Sequence, residues 1–547
     1  MKKVMDGQTF KETVIAGLGG LKSNIDAVND LNVFPIPDGD TGENMGATLY
    51  GGVNAIAADE SLSVGEIASA FSRGAVLGAR GNSGVILSQF FAGLADGIGD
   101  RQEVDAAGMG DAMREGVRRA SEAVATPVEG TMLTVLREAT EAAVASGAET
   151  LEEFFGNFAL AAKEWTDRTP EMLDVLREAG VVDSGGMGVY YLAAGMEKAL
   201  RGEKVDGAGA ISEQKKELDL DMFTENDEMT FGYCTEFMLR LTRKKTDIDG
   251  FDVNELRGWL EAHGDSVVIF KTGTIVKVHV HTFSPEEILG HCHAYGEFLT
   301  LKIENMTLQH NGKESDKKQS FRRREKREKF AIVTVANGEG MKKLFSELGA
   351  DAVIDGGQGK NPSTETFIEA FDAVNADNIF VLPNNGNVVM AAEQAAREYT
   401  GGCVRVIPSK CMGDGYAALT MLDYGADDAE AIENEMTENM KSMTTALLSR
   451  SVRDANINGV DIKCGDYIGF EGKEMLVSDP DKITAATGLI ERSGGDERQF
   501  ITVFYGEDAT DDDKKRLREA IETRFPNAEF YETDGGQEVY DFMFVLE

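Results

Sequence analysis

The chain has 547 residues, 95 of them Asp or Glu against 55 Lys or Arg, for a formal net charge of −40. That surplus argues against nucleic-acid binding, which draws on clustered Lys and Arg, and against adhesion to an anionic membrane by charge attraction. A hydrophobic fraction of 42% is too high for a disordered acidic chain, and the length suits three or four domains, each with its own core. No apolar run approaches the ~18–20 residues a membrane span requires, and the N-terminus turns polar before a signal-peptide core could form. The cysteines (Cys234, Cys292, Cys403, Cys411, Cys464) are odd in number, scattered and without a CxxC, a pattern that suits a reducing cytosol. A cytoplasmic protein is expected.

Residues 8–30 carry apolar side chains at helical spacing (Val14, Leu18, Leu21, Ile25, Val28), and similar patterns predict helices near 62–77, 84–97, 107–125, 131–146, 151–166, 170–179 and 187–200. Residues 1–204 therefore read as an all-α domain. A polar, acidic stretch over 205–228 suits a linker. Beyond it, Phe231 to Leu241, Ser266 to Phe270, Thr274 to Thr282 and Phe298 to Ile303 predict strands, so 205–310 reads as a small α+β domain. Residues 311–330 (NGKESDKKQSFRRREKREKF) reverse the charge to +5 and read as a basic linker. In 331–547 the segments FAIVTVANGEG, ADAVIDGG, NIFVLPNN and VRVIPSK each end in a polar turn and lead into a helical pattern, the signature of a parallel α/β sheet. Gly459 to Val477, Phe500 to Tyr505 and Val539 to Leu546 add further strands. The remaining charge divides as −14, −9 and −22 over 1–204, 205–310 and 331–547.

Chemistry concentrates in a few turns. In Asn32-Val33-Phe34-Pro35-Ile36-Pro37-Asp38-Gly39-Asp40-Thr41-Gly42-Glu43-Asn44, two prolines oppose a helix. The glycine between Asp38 and Asp40 lets a tight turn aim both carboxylates at one point. Hard oxygen ligands of this kind suit Mg²⁺; an Asx-turn with a helix N-cap is the plain alternative. Gly78-Ala79-Arg80-Gly81-Asn82-Ser83-Gly84 runs into an apolar helix, and a glycine-rich turn at a helix start points N–H groups at an anion, although it lacks the GK[ST] of a Walker A loop. Gly180 to Gly188 is a third such loop. Three loops at helix ends in one all-α domain are able to surround one nucleotide. In the middle domain His279 and His281 alternate along a strand and so share a face. Cys234, on an earlier strand, could complete a thiolate and two imidazoles for Zn²⁺, whereas alternating histidines on a strand need no metal at all.

In order, LNVFPIPDGDTGENM, GARGNSGVILSQ, PVEGTMLTV and GVVDSGGMG resemble the nucleotide-binding DhaL-like domain of the dihydroxyacetone kinase superfamily. With GYCTEFMLR, IVKVHVHT, YGEFLTLKIENM, GGQGKNPSTE, LPNNGNVVMAAEQAA and GGQEVYDFMFVLE, the whole chain resembles the ATP-binding subunit of bacterial fatty acid kinase. The resemblance implies an eight-helix, barrel-like kinase domain that holds ATP with Mg²⁺ on Asp38 and Asp40, with Asn32, Thr41 and Asn44 nearby. It places Ser83 and Gly84 on phosphate, Thr131 and Leu133 toward the base, and Asp183, Ser184, Gly185 and Gly186 at the pocket's closure. Related domains carry a third aspartate ahead of the pair, where this chain has Asn32-Val33; Asp30 is the nearest earlier carboxylate. The resemblance also implies a structural Zn²⁺ on Cys234, His279 and His281, although His291-Cys292-His293 departs from the family pattern. It implies a DegV- and DhaK-like C-terminal fold and a homodimer.

The activity so implied is transfer of phosphate from ATP to a fatty acid carboxylate, presented by a separate DegV-like fatty-acid-binding carrier protein. The products would be ADP and an acyl phosphate for phospholipid synthesis. Two alternatives stand beside it: a dihydroxyacetone-type kinase subunit, and a non-catalytic nucleotide- or lipid-binding scaffold. The former needs a histidine in its DhaK-like part to hold substrate, and the six histidines (263, 279, 281, 291, 293, 310) all fall in the middle domain. The polar turns Gly357 to Thr364 and Pro383 to Asn385 lie where parallel sheets present ligands, at strand C-terminal ends; a scaffold role is the expectation for that domain.

Overall fold

A computed structural model of the chain describes residues 2–32, 39–59, 61, 63–205, 233–248, 250–251, 253–272, 274–305, 321, 323–357, 359–423 and 425–547, with some side chains between 233 and 305 left undescribed. Two compact units form, one of Met1–Glu213 with Phe321–Glu547 and the other of Gln214–Ser320.

Eight long helices, Gly7–Lys22, Thr41–Ile56, Val64–Gly78, Gly81–Ile98, Ala106–Glu122, Met132–Ala145, Leu151–Asp167 and Ser184–Leu200, make up most of the N-terminal part among the described residues. Each packs against the next in sequence, and the last returns to the first, closing a ring. The core inside includes Phe10, Leu18, Phe71, Leu87, Phe91, Leu136, Phe154 and Leu192, all nearly or fully buried. Side-chain oxygens start several helices: Asp6, Ser63, Asp105, Thr150 and Asp183 each accept a backbone N–H of the first turn, satisfying a donor the helix cannot. The helical barrel expected from sequence is present.

The helix Thr41–Ile56 is not among those that periodicity predicts. Four glycines (42, 46, 51, 52) lower its intrinsic preference by about 1 kcal/mol each relative to alanine. Tertiary packing outweighs that preference. The backbone of Thr41–Ile56 runs so close to Val64–Gly78 that a Cβ at Gly51 would lie 2.6 Å from the carbonyl of Gly74, and one at Gly74 would lie 2.4 Å from the carbonyl of Gly51.

The α/β part contains two main sheets. Strands Cys403–Val406, Ala376–Leu382, Glu328–Ala336 and Ala352–Asp355 pair in that order, all parallel, with helices Glu339–Glu347, Thr364–Val374 and Val389–Glu398 in the connections. This is the parallel sheet expected from sequence. The later strands do not extend it. They form a second sheet ordered Glu474–Asp479, Tyr467–Glu471, Thr444–Arg450, Tyr540–Leu546, Phe500–Gly506 and Glu529–Gln537, antiparallel except for its last pair. In this sheet the short turn at 472–473 joins an antiparallel pair, while the helix Asp511–Arg524 crosses over between the strands of the one parallel pair, as helical crossovers do throughout the first sheet. Within this unit the two parts interlock: Ala79 and Val85 of the ring share a core with Val333, Val335, Phe367 and Phe371.

The second unit is a four-stranded antiparallel sheet ordered Asp265–Thr272, Ile275–Thr282, Tyr233–Leu241 and Gly296–Asn305. Helices Val253–His263 and Pro285–His293 bury Leu256, Leu260, Ile288 and Cys292 with Phe237, Leu239 and Val278, the α+β domain expected.

Gly74→Ala should overpack this close helix crossing and destabilise the first unit by about 1–3 kcal/mol. Gly290→Ala, in a helix where an added Cβ meets nothing within 4 Å, should stabilise by about 0.5–1 kcal/mol through propensity alone. Urea unfolding of the two variants, followed by circular dichroism, checks the opposite signs.

Candidate functional site

Short connections make sequence neighbours in a helical ring antiparallel, so every second helix begins at the same rim. Thr41–Ile56, Gly81–Ile98, Met132–Ala145 and Ser184–Leu200 all start there, around one cavity of about 390 Å³. Its walls carry Asp40, Thr41 and Asn44 from the first start, Asn82 and Ser83 from the second, Thr131, Met132 and Leu133 from the third, and Asp183, Ser184 and Gly185 from the fourth. Asn32, Val124, Thr126 and Val128 come from the intervening loops. Each helix start leaves backbone N–H groups without intrahelical partners and carries the positive end of a peptide dipole, so together they form a cradle for an anion with several charges.

Within the cradle, Asp40, Thr41 and Asn44 are buried. Ser184 Oγ donates to Thr41 Oγ1 at 3.2 Å, tying the first helix start to the fourth. Asn29 Oδ1 accepts the N–H of Gly42 at 2.8 Å, and the N–H of Gly39 donates to the carbonyl of Asn32 at 3.1 Å, which brings Asn32 and Gly39 together. Asp183 caps its helix by accepting the N–H of Gly186 at 2.7 Å. It keeps an edge toward the cavity, yet the protein packed around its carboxyl pushes the pKa up to about 6, against partial relief from the N–H groups of Gly186 and Met132. Burial disfavours the charged form, and the two donors recover only part of the loss.

The structure thus brings together Asn32, Asp40, Thr41, Asn44, Ser83, Thr131, Leu133, Asp183, Ser184 and Gly185, all expected at the site. Asp38 lies outside the described residues. Gly84 does not line the cavity. It is a contact point between helices, where a Cβ would lie 2.4 Å from Thr48 Oγ1. Around the first helix start the available ligands, the Asp40 carboxylate, the Asn44 carboxamide and the Thr41 hydroxyl, offer hard oxygens, and this set fits Mg²⁺ better than a softer metal.

Sequence reasoning missed that the α/β part completes the wall. Asn387 and Met390, on the helix Val389–Glu398 and the turn before it, line the cavity. Asn82 Nδ2 donates to Asn387 Oδ1 at 3.4 Å, and Asn361 donates its amide to Asp40 Oδ2. The polar turns at the strand ends read from sequence as ligand-presenting. Nothing local to them indicates that they face the helical rim, a relation between segments more than 300 residues apart.

In the second unit Cys234 pairs across the strands with His281, and Glu236 with His279; the side chains of Cys234, His279 and His281 lie outside the described set. No group of three or more His, Cys, Asp or Glu able to hold a metal occurs among the described residues. The triplet at 291–293 is engaged locally. His291 stacks on Trp259 with ring centroids 3.6 Å apart, Cys292 is buried with its thiol pushed up to about 12, and His293 Nε2 lies 3.2 Å from Glu297. No helix among the described residues is long and apolar enough to cross a membrane.

Family models match three stretches: the DAK2 domain over residues 35–198, the middle domain of FakA-like fatty acid kinase proteins over 230–313, and the C-terminal domain of the same proteins over 331–547. Protein YloV of Bacillus subtilis (strain 168) is 37% identical over 558 residues, covering 100% of each chain. Among solved structures, the dihydroxyacetone kinase from C. freundii in complex with AMP-PNP and Mg²⁺ matches at 16% identity with a TM-score of 0.29, over 35% of this chain and 33% of that one. The Streptococcus pneumoniae Fatty Acid Kinase (Fak) B3 protein loaded with linoleic acid matches at 12% identity and a TM-score of 0.29, over 40% of this chain and 99% of that one.

Because the folded chain holds the Asp183 proton up to about pH 6, against 3.8 for an ordinary aspartate, the native state binds protons more tightly than the unfolded state. Stability therefore falls as pH rises from about 4 to about 6. Asp183→Asn, which can still accept the capping N–H, should remove that loss. Its melting temperature should exceed the wild type's by more at pH 7 than at pH 5 in paired thermal scans without nucleotide.

Proposed function

The chain belongs to the FakA-like fatty acid kinase family, and on that premise we propose that it transfers the terminal phosphate of ATP to the carboxylate of a fatty acid presented by a separate fatty-acid-binding carrier protein. The products would be an acyl phosphate and ADP. The observation that carries the reading is the convergence of four helix starts and the buried carboxylate of Asp40 on one cavity.

Phosphoryl transfer depends on positioning and charge neutralisation more than on covalent chemistry. The helix starts supply N–H donors for phosphate oxygens, with the Ser83 and Ser184 hydroxyls beside them. Ile86, Met132, Leu133 and Met390 give the cavity an apolar stretch that suits the base and sugar. Asp40, Thr41 and Asn44, with Asp38 from the loop, would hold Mg²⁺. When bound, that ion would offset phosphate charge in the transition state. On this reading the acceptor carboxylate attacks the terminal phosphate directly, and no described side chain lining the cavity is a cysteine or histidine.

The acidic surface makes a basic patch on the carrier the complementary docking face, and such docking weakens with added salt. Cytoplasmic location, a homodimer and a structural Zn²⁺ on Cys234, His279 and His281 remain part of the proposal, resting on the family resemblance.

With purified chain, a fatty-acid-loaded carrier and ATP·Mg²⁺, ADP release should depend on oleate. Asp40→Ala or Asp38→Ala should lower the rate by at least 10²-fold, since the charge that holds the metal is lost. Full retention of ADP release by both variants would remove the metal assignment. ADP release with dihydroxyacetone and none with fatty acid would overturn the acceptor.

A further inference from the structure

Asp40 is held from outside the helical ring. Asn361 sits on the turn between Ala352–Asp355 and Thr364–Val374, is 4% exposed, and donates to Asp40 Oδ2 and, at 3.4 Å, to Asn44 Oδ1. Its own Oδ1 accepts from Asn385 Nδ2 at 3.4 Å. Asn385, 3% exposed, also donates to the carbonyl of Gly357 at 3.3 Å and accepts the N–H of Asn387 at 2.9 Å. Asn387 then meets Asn82 on the ring. A run of carboxamides therefore leads from the C-terminal ends of the parallel strands to Asp40 and returns to the rim.

The residue type matters. A buried carboxylate needs hydrogen-bond donors, and a lysine or arginine there would supply them while neutralising the charge a cation requires. A carboxamide fixes the carboxylate's orientation and leaves its charge in place. Joining the two parts does not depend on this bond. Gln394, 1% exposed, accepts from Gln89 Nε2 and donates to the carbonyl of Val76, both at 2.8 Å, and the N–H of Thr364 donates to the carbonyl of Ala79 at 3.1 Å.

We infer that Asn361 is a positioning residue for the metal site: it orients the Asp40 carboxylate, so that affinity of the helical ring for a divalent cation with nucleotide depends on this turn of the α/β part. The inference rests on the proposed ATP·Mg²⁺ reading and goes beyond it by assigning a role to the C-terminal part. Hydrogen-bonding partners of metal ligands commonly contribute about 10–100-fold in metal affinity.

The test uses the full chain, Mn²⁺ and the non-hydrolysable analogue AMP-PNP, with free Mn²⁺ measured by electron paramagnetic resonance and unliganded melting recorded alongside. Asn361→Ala, which removes the donor without adding bulk, should weaken Mn²⁺ binding about 10–100-fold, and Asn361→Leu, similarly branched but larger and without a donor, serves as a second comparison. Asn385→Ala should act in the same direction more weakly. Gln394→Ala, which removes contacts between the two parts away from Asp40, should change Mn²⁺ affinity less than about twofold. An Asn361 variant that folds and binds Mn²⁺ as the wild type does would overturn the inference, as would a loss in Gln394→Ala equal to that in Asn361→Ala. Failure of the wild type itself to bind Mn²⁺ with AMP-PNP would instead remove the metal reading, and the role of Asn361 with it.

Discussion

Closure of the helical ring is the constraint on which the rest depends. Among the described residues eight long helices pack each against the next, and returning the last to the first fixes four helix starts at one rim. No single start makes a site, since one turn of unpaired N–H groups binds an anion weakly and water satisfies it equally well. Four around one cavity concentrate partial positive charge where the polar side chains of those same first turns also point. The glycines at the crossing of Thr41–Ile56 and Val64–Gly78 serve this geometry, because a ring with wider spacing there would displace Asp40 and Thr41 from their neighbours.

The second dependency is the docking of the α/β part. The parallel sheet places its polar turns at strand C-terminal ends, as open sheets do, and here those turns face the ring instead of an open crevice. Asn361, Asn385 and Asn387 are consequently held among carboxamide and carboxylate partners. A chain whose net charge is −40 thus meets its own acidic site with neutral donors. On the proposed reading the charge of Asp40 is kept for a cation, while many other described carboxylates sit in exposed surface pairs such as Arg114–Glu141 and Arg118–Glu122.

Much of this was legible in the sequence, for identifiable reasons. Helices with apolar side chains at three- and four-residue spacing were readable because their buried face is continuous. Thr41–Ile56 was not, because glycines suited to close packing erase that signal. The parallel strands were readable as apolar runs ending in polar turns. The second sheet's separate, largely antiparallel arrangement was not, since a short strand carries no record of its partner. Turns opening helices at 40, 80 and 183 marked the site, and family resemblance added Thr131 and Leu133. The contribution of Asn361, Asn387 and Met390 depends on how two folded parts meet, which neither period nor motif encodes. Asp38, the other half of the aspartate pair, is assigned by motif alone.

The most direct test of the central claim is a crystal structure of the full chain grown with AMP-PNP and Mn²⁺, using the anomalous signal of manganese to locate the ion. The expected result is a nucleotide whose phosphates lie against the starts of Thr41–Ile56, Gly81–Ile98 and Ser184–Leu200, with manganese bonded to the Asp40 carboxylate. A nucleotide bound elsewhere, or manganese without an Asp40 ligand, would contradict it.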